Sequence, residues 1–405
     1  MRVQSSFPLK SGILPDFVCF SHLRWDFVFQ RPQHLLSRCA REHRVFFVEE
    51  PVFENDRSKA TIELKEGSGG VRVIVPRLPA GLGASRTVNV LRRLLKQLFR
   101  ACRIRECIAW YYTPMALPFT IDLDPILVVY DCMDELSAFR GAPPELKANE
   151  EKLMSQADIV FTGGISLYEA RAKQHRNIHP FPSSIDVAHF ARARDPVEIP
   201  ADELRIPPPR LGFAGVIDER MDLQLVREIA SLRPGWSIIL IGPVAKLAEN
   251  ELPRGPNIHY LGPRPYSLLP QYMAGWEIGI MPFARNESTR FISPTKTPEY
   301  LAAGKPVVST SIRDVVRIYG KQKVVAIADS SHDFVSQVER ILQRRNDPGW
   351  LERVDSLLSR NSWDATWTSM MRLIKKALAE RTEQRRPERA ITPAWQGTVA
   401  GENDV

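Results

Sequence analysis

Short apolar runs alternate with amphipathic stretches along nearly the whole chain. In the first half the runs fall at residues 17–20, 45–48, 71–75, 107–112, 126–130 and 158–162. A second series follows at 211–214, 237–241, 258–261, 276–281, 307–308 and 324–327. Runs this short and this apolar read as strands buried on both faces, and the stretches between them carry helical spacing. Residues 191–209 interrupt the alternation with Pro196, Pro200, Pro207, Pro208 and Pro209. This is a linker. Two strand–helix series joined by a linker predict two doubly wound α/β domains, 1–190 and 210–361. Residues 362–380 then form a terminal helix, and the charged residues 381–405 a disordered tail.

Open α/β sheets bind ligands beyond the carboxyl ends of their strands. After the first run, His22, Arg24, Trp25 and Asp26 occupy such a loop, and Gln30, Arg31 and Pro32 open a helix. Asp131 and Asp134 follow another strand end, where they position a hydroxyl, act as a base, or serve a turn and a helix cap. Asp122 and Asp124 precede a strand and read as a turn, not a metal site.

The densest candidate is SPTKTPEYLAAGKPVVST, residues 293–310. Thr297 is placed to cap a helix, with Pro298 at its first position and Glu299 in its first turn. Gly304 and Pro306 end it. Lys296 can neutralise a phosphate at such a helix start, and Glu299 can accept hydrogen bonds from ribose hydroxyls. The pairing suits a nucleoside diphosphate; an ordinary capped helix between two strands is the other reading.

Composition narrows the class. The chain has 405 residues, 44% hydrophobic and 25% charged, as in a soluble globular protein. No apolar run reaches the length needed to span a bilayer, and the N-terminus lacks the order of a secretory signal. Five scattered cysteines make neither a zinc pattern nor a disulfide framework, so a cytoplasmic location is expected. Neither half carries G-x-G-x-x-G after a strand, which argues against a nicotinamide or flavin enzyme. Net charge is +8, and residues 86–105 hold seven basic residues and no acidic one. Leu91, Leu94, Leu95 and Leu98 recur there at helical spacing. A basic amphipathic helix suits an anionic membrane surface, with Arg92, Arg93, Lys96 and Arg100 as contacts, or simply a core-facing helix. No nucleic-acid signature accompanies it.

Taken together, FPSSIDVAHF, LGFAGVIDERMD, LGPRPYSLLPQYMAGWEIGIMPF, SPTKTPEYLAAGKPVVST and SWDATW resemble, in this order, the GT-B glycosyltransferases of the family 4 or family 1 type. WDFVFQRPQHL and VYDCMDELSAF are similar to a bacterial subgroup used in teichuronic-acid and exopolysaccharide assembly. The resemblance implies two Rossmann-like domains facing a cleft, with the last helix crossing back to the N-terminal domain. It implies sugar transfer from a nucleotide-sugar, UDP favoured, to a saccharide or lipid-linked acceptor. Donor contacts would come from Gly215, Arg220, Arg264, Ser293, Lys296, Thr297 and Glu299. Acceptor contacts would come from Arg24, Trp25, Arg31 and Gln33, with His22, Asp131 and Asp134 as catalytic candidates. No metal or cofactor beyond the donor is implied. The sequence departs from the family at Phe291, where retaining members carry a second Glu, and at Val216, where an Arg is usual. Arg220 is the nearest substitute for the usual Lys of that turn. Retention or inversion is left open, as are a non-catalytic scaffold and a sugar-nucleotide 2-epimerase.

Overall fold

The structure, a computed structural model, describes residues 14–343 and 347–390. The first sheet has nine strands: β1 (Asp16–Ser21), β2 (Val45–Glu49), β3 (Val52–Glu54), β4 (Thr61–Glu66), β5 (Arg72–Pro79), β6 (Cys107–Tyr111), β7 (Leu127–Cys132), β8 (Ile159–Thr162) and β9 (Ile178–Pro180). Their order is β3-β5-β2-β1-β6-β7-β8-β9, and β4 pairs antiparallel with β5. The second sheet is parallel, with β10 (Arg210–Ala214), β11 (Ser237–Ile241), β12 (Ile258–Gly262), β13 (Ile278–Met281), β14 (Val307–Ser309) and β15 (Val325–Ile327). Its order is β12-β11-β10-β13-β14-β15. In each sheet the first strand lies where the winding reverses, β1 between β2 and β6 and β10 between β11 and β13. The loops after Ser21 and Ala214 therefore leave from the switch points, where crevices open.

Five helices matter for the site: α1 (Arg31–Cys39), α2 (Ala84–Cys102), α3 (Ile165–Arg171), α4 (Lys296–Ala302) and α5 (Trp363–Ala390). α5 returns to the first sheet and inserts Trp363, Met370, Ile374 and Ala377 into its core. The Trp363 ring lies parallel to that of His34 on α1, centroids 4.5 Å apart. Asp364 pairs with Arg38 at 2.8 Å and Arg41 at 3.1 Å. The helix continues through 381–390, which the sequence assigned to a disordered tail; the rest of that tail, 391–405, lies outside the described residues.

α4 starts at Lys296, after Thr295, so Thr297 does not cap it. Thr297 is fully buried and its hydroxyl donates to Met281 Sδ at 3.1 Å. It packs the helix onto β13 and does not line the cleft between the two sheets. α2 buries Leu91, Leu94, Leu95 and Leu98. Of its basic residues, Lys96 pairs with Asp122 at 2.7 Å and Arg92 donates to the Pro118 carbonyl at 2.9 Å. Arg93 and Arg100 are exposed. Among the described residues no helix is long and apolar enough to cross a membrane, and no group of His, Cys, Asp and Glu side chains has the makings of a metal site.

Candidate active site

The carboxyl edges of the two sheets face each other across a cleft of about 550 Å³. Trp25 to Arg31, Met133, Asp134 and Gly163 line one wall. The other is made by Gly215, Arg220, Gly242, Pro263 to Tyr266, and Ile292 to Glu299.

On the second wall β10 ends at Ala214, and Gly215 adopts φ 151°, a conformation that side chains disfavour. A Cβ there would fall 2.1 Å from Lys296 Cε, so glycine is also what lets Lys296 lie across the strand end. The Lys296 ammonium sits 5.4 Å from the Phe213 ring centre and forms no ion pair among the described residues. Burial, then the nearby Arg220, holds its pKa below the ordinary value. Glu299 lies almost one helical turn further on. Its carboxylate has no hydrogen-bond partner among the described residues, and burial pushes its pKa to about 7 against the pull of Lys296. Arg220 pairs with Asp218 at 2.6 Å, and its guanidinium lies over the Phe139 ring at 5.5 Å. Arg264 is held by Asp202 and the Tyr272 hydroxyl, both at 2.6 Å. The Ser293 carbonyl accepts from Ser183 at 2.6 Å, which ties the two walls together.

On the first wall the expected site residues divide. Asp134 faces the cleft, and its carboxylate accepts no hydrogen bond among the described residues. Burial raises its pKa to about 6, opposed by Arg220 and Arg31. Asp131 is fully buried beneath the wall. Arg31 grips it through Nε at 3.1 and 3.0 Å and through a second nitrogen at 2.9 Å, and also donates to the Phe181 carbonyl at 2.8 Å. Both residues are spent on each other. Arg24 pairs with Glu49 at 2.9 Å and donates to the Glu50 carbonyl at 2.6 Å. Gln33 is buried in the α1 cap: it accepts from Gln30 N–H at 3.1 Å and donates to the Trp25 carbonyl at 2.7 Å. The Trp25 indole N–H donates to Ser68 at 3.2 Å. Arg24, Gln33 and Asp131 thus lie outside the cleft lining, and so does His22. Burial lowers the His22 pKa to about 4, so its ring is neutral at pH 7.

The structure also brings in residues that sequence reasoning left out. Phe27 and Phe29 line the first wall, and Tyr266 the second. Phe29 stacks on Tyr266 at 4.5 Å, and Tyr266 on His189 at 4.4 Å, so aromatic rings close one end of the cleft. Gly163 and Gly242 line it where β8 and β11 end. The strand-end glycines were readable signals; the aromatic positions carried none, because a lone Phe in a loop reads equally well as core.

Two doubly wound sheets facing a cleft, with a last helix returning to the first domain, constitute the GT-B architecture. Residues 208–344 match the family described as Glycosyl transferases group 1. The Bacillus subtilis protein TuaH, named as a teichuronic acid biosynthesis glycosyltransferase, is 27% identical over 307 residues, covering 70% of this chain and 75% of its own length. Among solved structures, sucrose-phosphate synthase from Thermosynechococcus elongatus superposes with a TM-score of 0.66 at 15% identity, over 91% of this chain and all of that one. HepE from Anabaena, solved with UDP and glucose, gives 0.61 at 12% identity, over 89% and 100%. A trehalose-phosphate synthase from Burkholderia xenovorans, solved with glucose-6-phosphate, gives 0.64 at 11%, over 88% and 99%. The protein is accordingly a glycosyltransferase of the GT-B fold with a group 1 domain, related to a teichuronic acid biosynthesis glycosyltransferase.

Proposed function

We propose that the protein transfers a sugar from a nucleotide-sugar, with UDP-sugars first among the candidates, to a saccharide hydroxyl in polysaccharide assembly. The observation that carries this reading is the unpartnered pair Lys296 and Glu299 on one face of α4, opposite the unpartnered Asp134. A half-buried cation and two half-buried carboxylates without partners, all lining one cleft, are groups that a ligand can complete. Glu299 would accept from the ribose hydroxyls. Lys296 and Arg220 would neutralise the diphosphate as the bond between it and the anomeric carbon breaks. The acceptor oxygen forms the new bond to that carbon, and Asp134 takes its proton as general base. With a pKa of about 6, Asp134 is ionised at neutral pH and still close enough to it to work as a base. Base-assisted direct attack gives inversion. The HepE structure with UDP supports the choice of nucleotide.

A second reading concerns where the acceptor lies. The exposed Arg93 and Arg100, on a helix whose apolar face is already buried, would draw this domain toward an anionic membrane surface and a lipid-linked acceptor. Binding to vesicles containing an anionic lipid should fall when Arg93 and Arg100 become Glu; unchanged binding would end this reading.

Thermal unfolding against UDP-, GDP-, ADP- and dTDP-sugars tests the donor. A ligand at 100 times its Kd adds about 2.7 kcal/mol, worth at most about 2–4 °C per kcal/mol in a chain of this size. A shift with UDP-sugars that is lost in Glu299→Ala is expected. A flat panel would sink the proposal.

A further inference from the structure

The loop between β1 and α1 is pinned from below. Glu49 accepts the Trp25 backbone N–H at 2.8 Å and pairs with Arg24 at 2.9 Å, while Gln33 holds the Trp25 carbonyl at 2.7 Å. Trp25 itself is only 3% exposed and packs edge-on to Phe47. What this loop then presents to the cleft is Asp26 and Phe27. Phe27 is 47% exposed. Asp26 is exposed, and its carboxylate makes no hydrogen bond among the described residues. An apolar ring and a carboxylate fixed side by side on a rigid loop are what a pyranose needs. The C–H face of the sugar packs on the ring, and its hydroxyls donate to the carboxylate. Rigidity removes the ordering cost that a mobile loop would add to binding.

The charge of this wall narrows the ligand. Arg31 is the one cation that the first domain contributes to the cleft lining among the described residues, and Asp131 already neutralises it. Asp26 and Asp134 leave the wall net negative. On this wall a phosphorylated sugar would meet two carboxylates and no available cation, which is repulsive in a partly desolvated cleft; the unpaired Lys296 lies on the opposite wall, where the proposed donor diphosphate would take it.

We infer that the acceptor is an unphosphorylated, uncharged saccharide whose ring lies on Phe27 with its hydroxyls on Asp26. This rests on the glycosyl-transfer reading and adds the class of acceptor. Asp26 and Phe27 bind and position the acceptor; the bond-making groups are those given above.

Saturation-transfer NMR, irradiating the aromatic protons of the whole protein, tests this with and without UDP. The probes are methyl glucoside, methyl galactoside, methyl N-acetylglucosaminide and glucose-6-phosphate. Wild type should saturate at least one neutral glycoside and not the phosphate. Phe27→Ala should weaken the binding by up to about tenfold, and Phe27→Tyr should restore it. Asp26→Lys should admit glucose-6-phosphate. No transfer to any neutral glycoside, transfer to the phosphate in wild type with UDP present, or an unaltered signal in Phe27→Ala would each overturn the inference. The UDP thermal shift of the same samples is read separately. Its absence would overturn the donor assignment alone, because the glycoside signals are also recorded without UDP.

Discussion

The two walls of the cleft handle charge differently. The first-domain wall and the layer beneath it are largely self-satisfied: Arg31 pairs with Asp131, Arg24 with Glu49 and Gln33 with backbone, while among the described lining residues the carboxylates of Asp26 and Asp134 are left open. In the second wall, Arg220 and Arg264 are paired, but Lys296 and Glu299 share α4 without a direct contact and are both displaced from their ordinary ionisation by burial. A buried polar group that has a partner holds the scaffold in shape. One without a partner that also lines a cleft is a cost that a ligand can remove. The comparison divides the set that the sequence placed together into residues paired within the scaffold and residues left open to the cleft.

Asp134 tests the comparison with the largest effect. Asp134→Asn should lower kcat by about 10²–10⁴-fold while keeping the UDP thermal shift. The wild-type rate should rise with pH through about 6, because the base must be ionised to accept a proton, and that rise should vanish in the variant. Activity within a few fold of wild type would move the base elsewhere, with His22 as the next candidate. The contrasting change is Asp131→Asn. It strands Arg31 in a buried site and should cost about 3–5 kcal/mol of stability, read as a large fall in Tm. A stable but inactive Asp131→Asn protein would erase the distinction drawn between these two aspartates.

Glu299 sharpens the other wall. Its loss should weaken donor binding by about 1.5–3 kcal/mol, the worth of hydrogen bonds to a charged acceptor, or about 10–150-fold. Ribose hydroxyls favour the ionised carboxylate, so wild-type donor affinity should fall as pH drops through about 7, and Glu299→Gln should flatten the dependence. The same group sets the sign for stability without ligand. Its folded pKa lies above the unfolded one, so its contribution is most favourable below about 4.5 and declines as pH rises through about 7. Isothermal titration across this range reads the affinity directly.

The strands were legible because parallel strands buried on both faces are nearly pure apolar runs: every residue of DFVCFS, VFFVE and SIILI is buried. β9 was missed because three residues ending in proline carry no such pattern. The start of α4 was misplaced because Thr297 has the residue type of a cap, yet the helix begins one residue earlier without a side-chain cap and Thr297 packs against Met281. On the second wall, Ile292 to Glu299 were legible as cleft lining because they lie together in one segment. The first wall was not, since Arg31 and Asp131 stand 100 positions apart and their pairing consumes two candidates at once. Phe27 was invisible for a related reason: whether a loop phenylalanine is buried or presented depends on what pins the loop, here Glu49 and Gln33.

The smallest expected effect concerns how the two walls are held in register. Asp314, from the second domain, accepts the backbone N–H groups of Ile165 at 2.8 Å and Ser166 at 3.0 Å, and so caps α3 of the first. A Cβ on Gly164 would come within 2.5 Å of that carboxylate, which keeps the approach open only to glycine. On the exposed side, Glu169 of α3 pairs with Arg313 and Arg317, both at 2.9 Å. Losing the cap should cost about 1 kcal/mol, and losing the exposed pairs about 0.2–1 kcal/mol. Both are small against the stability of the whole chain. Their effect on catalysis should be larger than on Tm, because Asp134 meets Lys296 and Arg220 only while the domains are aligned. Asp314→Ala should therefore lower kcat several-fold, with a change in Tm of only a few degrees and a measurable increase in the radius of gyration by small-angle scattering. Glu169→Ala should act in the same direction but more weakly, and lose its effect at high salt as screening removes the pair in wild type too. If Asp314→Ala changes neither scattering nor kcat, register comes from the other contacts between the walls, Ser183 with the Ser293 carbonyl and the rings at Tyr266, and Tyr266→Ala becomes the next variant to separate them.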